Sequence, residues 1–290
     1  MQRPTDGATL GVAEPEVEQP LMSNLVVVGV DGSATSLTAV EAAAAAAVRR
    51  GAKLRVVHAE IPVKPRYLVP DPASGTLVHE AAAHACGVAP GVAVTHAVVT
   101  GDAAYVLEVE SRTADLIVVG SRGKGRVVGL LLGSTPVALA ALSHCPVMTV
   151  SEEHRPSADT GPVVLGVDGS PDSDKAVEVA FAEAAQRRAE LVAVHAWQSD
   201  GAAEADPESA AQRLARALAG RAAGCPDITV RHDLVRGKAR DALLEASKAA
   251  QLLVVGARGR GGVAGLLLGS VSQAVMTYAR CPVVTVRRTT

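Results

Sequence analysis

At 290 residues, with 48% hydrophobic and 20% charged side chains, the chain has the size and composition of two ordinary globular domains, each able to bury its own core. Its net charge of −2 removes a generic electrostatic reason to bind nucleic acid or an anionic membrane, and 2% aromatics leave no stacking platform for single strands. Four cysteines (Cys86, Cys145, Cys225 and Cys281) stand far apart with no C-x-x-C pair, which argues against a disulfide or zinc scaffold and for a reduced, intracellular chain.

Residues 1–23 carry Pro4, Pro15 and Pro20 among Glu14, Glu16 and Glu18 and lack the apolar core of a signal peptide, so they read as a disordered acidic tail. No apolar run approaches the roughly 20 residues of a membrane span. A cytoplasmic location is expected.

From there the chain alternates buried-strand runs with helical stretches. Leu25–Val30 is an apolar strand ended by Asp31-Gly32-Ser33. Thr35 or Ser36 is expected to cap an Ala-rich helix that Gly51 stops. Leu54–Ala59 is the second strand. A Pro-studded loop, Ile61–Ser74, then leads to a helix over about Leu77–Cys86. Val92–Val99 is the third strand, Ala103–Arg112 a helix and Leu116–Val119 the fourth strand. A glycine-rich segment, a helix over about Thr135–Leu142 and a last strand, Val147–Val150, complete the unit.

The unit then recurs. Val26–Ser33 (VVVGVDGS) returns as Val163–Ser170 (VVLGVDGS), and Val57-His58-Ala59 as Val194-His195-Ala196. Val118–Ser134 returns as Val254–Ser270, and His144-Cys145-Pro146-Val147 as Arg280-Cys281-Pro282-Val283. The offset is 137 residues at the first two landmarks and 136 at the last two. A period this long is a duplicated domain, since solenoid repeats recur at about 20 to 50 residues. The boundaries expected are a tail at 1–23, a first domain at 24–150, a linker at 151–161 and a second domain at 162–288. The fold class is α/β, two repeated doubly wound domains, each with a five-stranded parallel sheet. Ligands of such sheets lie at the carboxyl ends of the strands, where the strand order reverses.

Two strand ends carry the chemistry. After the fourth strand comes Gly120-x-x-Gly123, nine residues, then Gly133-Ser134 at a helix start; the second copy has Gly256-x-x-Gly259, nine residues, then Gly269-Ser270. Glycines are expected here to supply positive φ and to let backbone N–H groups approach an anion, with the helix start favouring a phosphate. Ser134 and Ser270 add hydroxyl donors. Lys124 with Arg126, and Arg258 with Arg260, add positive charge, and Arg122 and Arg258 are candidates for phosphate contact. A Walker A loop is absent, and the dinucleotide fingerprint would need its glycines after the first strand.

Gly-x-x-Gly, nine residues, then Gly-[Ser/Thr], with an aspartate after the first strand, resembles the ATP-binding class of universal stress proteins. The likeness runs through both copies, as in a tandem-domain member with the adenine nucleotide alpha hydrolase-like fold. It implies ATP as ligand, with a Mg²⁺ ion bridged by the phosphates and no metal site built from side chains. The first implied site is Gly29, Asp31, Ala59, Val119, Gly120, Gly123, Gly133, Ser134 and Thr135. The second is Gly166, Asp168, Ala196, Val255, Gly256, Gly259, Gly269, Ser270 and Val271. In the family the aspartate contacts ribose, Ala59 and Ala196 would lie by adenine, and the glycines and serine hold phosphates. The plainer reading of Asp31 and Asp168 is a turn former that caps the next helix.

Other residues invite blander readings. His58 and His195 sit in apolar strands without an orienting partner in sequence and read as structural. His79 and His84 lack the glutamate of H-E-x-x-H, so zinc is not expected. Cys145 and Cys281 share one slot and read as small buried hydrophobes. Trp197 follows Ala196 and reads as a rim residue. The function expected is an ATP-binding stress-response regulator with two nucleotides per chain, at most a weak ATPase and without catalytic residues. The alternatives are a slow ATPase, or an interaction module whose nucleotide is structural. In the latter the apolar strands Val147–Val150 and Val283–Val286 pair edge to edge within the chain. A homodimer is left open.

Overall fold

The structure, a computed structural model, describes residues 24–61, 71–123, 132–152, 154, 160–197, 207–260 and 268–288. The acidic tail 1–23, most of the proline-studded loop, Lys124 and Arg126, and much of the stretch 151–161 lie outside the described residues.

The first half runs β1 (Leu25–Gly29), α1 (Ala34–Arg50), β2 (Lys53–Glu60), α2 (Pro72–Val88), β3 (Val94–Thr100), α3 (Ala103–Glu110), β4 (Leu116–Gly120), α4 (Ser134–Leu142) and β5 (Val147–Val150). The second repeats it with β6 (Val163–Gly166), α5 (Pro171–Arg187), β7 (Leu191–Trp197), α6 (Pro207–Ala222), β8 (Val230–Arg236), α7 (Ala239–Ala246), β9 (Leu252–Gly256), α8 (Ser270–Tyr278) and β10 (Val283–Val286). The continuous Val/Ile/Leu runs of β1, β4, β6 and β9 are those of parallel strands covered on both faces. The outermost strands β3 and β8 are half exposed.

The strands form one sheet in the order β3-β2-β1-β4-β5-β10-β9-β6-β7-β8. Every pairing is parallel except that of β5 with β10, where Met148 lies opposite Val284. The edge strands of the two halves thus cover each other within the chain, as the interaction reading expected, leaving neither β5 nor β10 as an open edge.

Helices α1, α2, α5 and α6 share one face, where a single apolar core runs through both halves. Helices α3 and α4, and α7 and α8, cover the other face in two clusters, and Ala140 of α4 packs into the second half's cluster. At the seam Arg50 of α1 and Arg187 of α5, equivalent positions of the repeat, both reach the buried carboxylate of Glu183. Burial alone raises that carboxyl's pKa, but the two guanidiniums hold it below the usual carboxylate range.

Two sequence expectations are corrected. Helix α1 is capped neither by Thr35 nor by Ser36 but by Ser33, whose Oγ accepts from Ser36 N at 3.2 Å. Ser170 does the same for α5. The helix expected at Leu77 begins at Pro72: Asp71 accepts from Ala73 N at 2.9 Å, and Pro72 occupies the first turn, where its missing N–H costs nothing. Reading those prolines only as loop formers concealed the helix start.

Candidate functional site

Within each half β1 neighbours β4, and β6 neighbours β9, while their partners on the other side are β2 and β7. The strand order therefore reverses between the two ends that carry the aspartate turn and the glycine segment, and both open into one crevice. Asp31 and Asp168 are half buried there. Each carboxylate does local work: Oδ1 of Asp31 accepts from Ser33 N at 3.0 Å, and Oδ1 of Asp168 from Ser170 N at 2.9 Å. These are Asx turns, made possible by Gly32 and Gly169 at φ 76° and 71°. The other oxygen faces across the crevice. Oδ2 of Asp168 accepts from Arg260 N at 3.0 Å, and a Cβ on Gly123 or Gly259 would collide with Oδ2 of Asp31 or Asp168. The turn-former role and the crevice position thus coexist in one side chain.

The glycines of the segment are not there for positive φ. None of Gly120, Gly123, Gly133 or their counterparts has it; Gly120 and Gly123, with Gly256 and Gly259, are there for room. A side chain on Gly120 would press on Thr35 at 3.1 Å, and one on Gly256 on the backbone of Asp172 and Ser173 at 2.9 Å. Gly29 and Gly166 make room on the opposite face, for Leu107 of α3 and Leu243 of α7. Of the implied site residues, these two have the clearest packing reason.

The segment is pinched at its base. Gly133 N donates to Ser121 O at 2.8 Å, and Gly269 N to Ala257 O at 2.9 Å. Ser121 N and Ala257 N in turn donate to Val150 O and Val286 O, each at 2.7 Å, so the last strand of each half fixes where the loop springs. Helices α4 and α8 follow with glycine N-caps and no side-chain cap, whereas Ser33, Asp102 and Ser170 cap α1, α3 and α5 through their side chains. Their first-turn amides and the positive end of the helix dipole are left to another acceptor. Ser134 and Ser270 are exposed at this start, with Thr135 and Val271 half buried behind them. Val119 and Val255 are buried under the crevice, and Ala59 and Ala196 lie one residue before the ends of β2 and β7 beside it.

The sequence did not reveal Asp172. It is buried beneath the second segment, where Oδ2 accepts from Arg258 N at 3.1 Å and lies 3.4 Å from Arg258 Nε. Its Oδ1 accepts from Arg288 N at 3.0 Å. Arg258 thereby meets Asp172, while in the first half the equivalent of Asp172 is Thr35 and Arg122 is exposed. Ser272 also escaped notice; its hydroxyl donates to Gly256 O at 2.7 Å and ties α8 to β9.

The remaining polar groups are structural. His58 and His195 each place Nδ1 2.7 Å from a carbonyl, Val30 O and Val167 O. His84 Nε2 meets Glu41 at 3.0 Å and His79 stacks edge-on against His96, and no group of three metal-ligating side chains occurs among the described residues. Burial pushes the thiols of Cys145 and Cys281 up to about 12, so both stay protonated and unreactive at neutral pH. Trp197 is partly exposed at the end of β7 with Arg236 over its ring at 5.8 Å. No helix among the described residues is long and apolar enough to cross a membrane.

The family model "Universal stress protein family" matches the chain twice, over residues 22–151 and 160–287. Universal stress protein Rv1996 of Mycobacterium tuberculosis is 36% identical, the alignment covering 90% of this chain and 94% of that protein. Universal stress protein Rv2005c of the same organism is 35% identical, over 94% of this chain and all of its own length. The crystal structure of a universal stress protein from Archaeoglobus fulgidus superposes with a TM-score of 0.72 at 22% identity, covering 93% of this chain and all of its own, which shows a shared fold. With two matched copies and relatives alike over nearly its whole length, the chain belongs to the universal stress protein family.

Proposed function

We propose that the chain is an ATP-binding regulatory protein of the stress response, with one adenine-nucleotide site in each half. The observation that carries this is the repeated crevice: an aspartate facing a glycine with no room for a Cβ, beside a helix start with no side-chain cap. The residues present fit a nucleotide. Asp31 and Asp168 would accept from ribose hydroxyls, and the backbone of Gly123 and Ser134, with Gly259 and Ser270, would donate to phosphate oxygens, while Gly133 and Gly269, whose N–H groups close the loop base, would give the phosphates room. Ala59 and Ala196 leave space for a flat ring at the end of the second strand. Mg²⁺, if bridged by the phosphates, would neutralise their charge there. Hydrolysis gains no support from the nearby histidines: His58 and His195 hold Nδ1 on carbonyls, and Nε2 of His195 is buried away from solvent.

Calorimetric titration of the full chain with ATP tests the reading. Two sites are expected. Gly133→Glu and Gly269→Glu should each remove one, because a carboxylate then occupies the helix start. A Cβ at Gly133 meets nothing closer than 3.5 Å, so that variant should fold, whereas at Gly269 it meets Ala257 O at 3.3 Å, which must give by a few tenths of an ångström. No binding heat in the wild type, or two sites remaining in both variants, would overturn it.

A further inference from the structure

Away from both crevices, a cavity of 420 Å³ lies where the halves meet, between α1 and the chain that leads into β9 and β10. None of its lining residues belongs to a glycine segment or an aspartate turn. The space exists because α1 is thin at this point. Ala42 and Ala45 line it, and the position of α5 that answers Ala42 carries the bulkier Val179. Met148, Ala250, Cys281 and Pro282 complete an apolar floor.

The polar part of the wall is rich in guanidinium donors: Arg49, Arg187 and Arg280 line it, with Glu41, which meets His84 Nε2 at 3.0 Å, as the lining carboxylate. Arg187 is held rigidly, its side chain only 6% exposed, with Nη1 donating to Gln251 Oε1 at 3.1 Å and Nε to Glu183 at 2.9 Å. A wall of guanidinium donors over an apolar floor, in a volume within the usual range of about 300 to 1,000 Å³ for small-molecule sites, suits a ligand with two unlike ends. Guanidiniums recognise carboxylates in preference to neutral polar groups.

We propose that this seam cavity binds a small anion with an apolar body, of the class of a medium-chain carboxylate. The acid group lies against the arginines and the chain against Ala42, Ala45 and Met148. The site draws on both halves, so neither would form it alone. It is independent of the nucleotide reading: a chain that takes the carboxylate but not ATP would sustain this site and sink the other.

Calorimetric titration of the full chain with octanoate, and with octanol as the neutral counterpart, provides the test. One octanoate per chain is expected, with octanol weaker by about tenfold or more, the loss expected for one unpaired charge-assisted contact. Arg280→Gln, at an exposed position, should weaken octanoate by a similar factor, and Ala45→Phe should abolish binding by filling the cavity. Wild-type protein silent to millimolar octanoate, octanol binding as tightly as octanoate, or Arg280→Gln binding as wild type would each overturn the proposal. Because Arg280→Gln alters only the rim, the test stands even if Ala45→Phe does not fold.

Discussion

The two halves keep the same crevice but differ in what lies beneath it. Aspartate turn, glycine segment, pinched loop base and glycine-capped helix are all present twice. Under the first segment, however, stands Thr35, and under the second the buried carboxylate of Asp172. At the seam the repeat is broken once more, since Glu183 answers Ala46 while Arg50 and Arg187 are kept in both copies. Features that shape backbone are duplicated faithfully, whereas the two carboxylates buried among the described residues, Asp172 and Glu183, belong to the second half alone, with Thr35 and Ala46 at the equivalent positions of the first. Like geometry in the two halves therefore does not mean like affinity or like contribution to stability.

The largest effect is expected at Glu183. It is the only carboxylate that both seam arginines reach among the described residues, so Glu183→Gln leaves two guanidiniums without their counter-charge in a buried place. Breaking such a pair costs about 3 kcal/mol or more, measured by urea denaturation at pH 7. Its folded pKa is depressed, so its contribution is fully present above the unfolded carboxylate value of about 4.3 and is lost as pH falls through the folded value. The variant should therefore lose least relative to wild type under acid conditions. Equal destabilisation at pH 7 and at the acid limit of folding would mean that shape, not charge, is what Glu183 supplies.

The crevices come next. Arg258 shares its charge with Asp172, whose place in the first half is taken by the neutral Thr35, so the first site should offer the stronger positive field to a phosphate. Arg122→Gln should weaken the first site by about 1 kcal/mol, or about fivefold, by Coulomb's law across a few ångströms of partly wet space. Arg258→Gln should change the second site distinctly less. Titrating ATP into Gly269→Glu and Gly133→Glu backgrounds isolates the two sites. Equal losses would show that Asp172 organises the chain near Arg288 without touching ligand affinity.

These differences mark what could be read without coordinates. The repeat, the buried strand runs and the segment Gly120–Ser134 locate ten strands and the crevice, because strand pattern and punctuation are local signals. The pairing of β5 with β10 was also foreseeable, since two short apolar end strands need cover. Asp172 was not. It follows Pro171 at a helix start, where an acidic residue is expected on dipole grounds alone, and only the folded chain brings Arg258 and Arg288 to it. Of the two reasons read for the glycines, positive φ does not hold at Gly120, Gly123, Gly133 or their counterparts, since spacing does not distinguish a need for φ from a need for room. Glu183 sits in a helix among Ala and Gln, and nothing in its neighbourhood announces a partner 133 residues away.

The smallest effect comes from the end of the first helix in each half. Helix α1 ends at Gly51 with φ 59°, and its N–H returns to Ala47 O and Val48 O. Helix α5 ends in the same closure, but the residue there is Arg188 with φ 51° and N–H bonds to Ala184 O and Ala185 O. A left-handed conformation costs a residue with a Cβ about 1 kcal/mol that glycine does not incur. Glycine gives back part of this through its freer unfolded chain. Arg188→Gly should therefore stabilise the protein by about 0.5 kcal/mol, read as a rise in the urea midpoint with unchanged slope. The exposed Arg188 side chain loses little by removal. Gly51→Arg, the reverse exchange, should cost a similar amount, because a Cβ there has open space and meets only the backbone penalty. If Arg188→Gly destabilises instead, the arginine side chain contributes more at the end of α5 than its exposure suggests, and the two helix ends are less alike than their dihedrals.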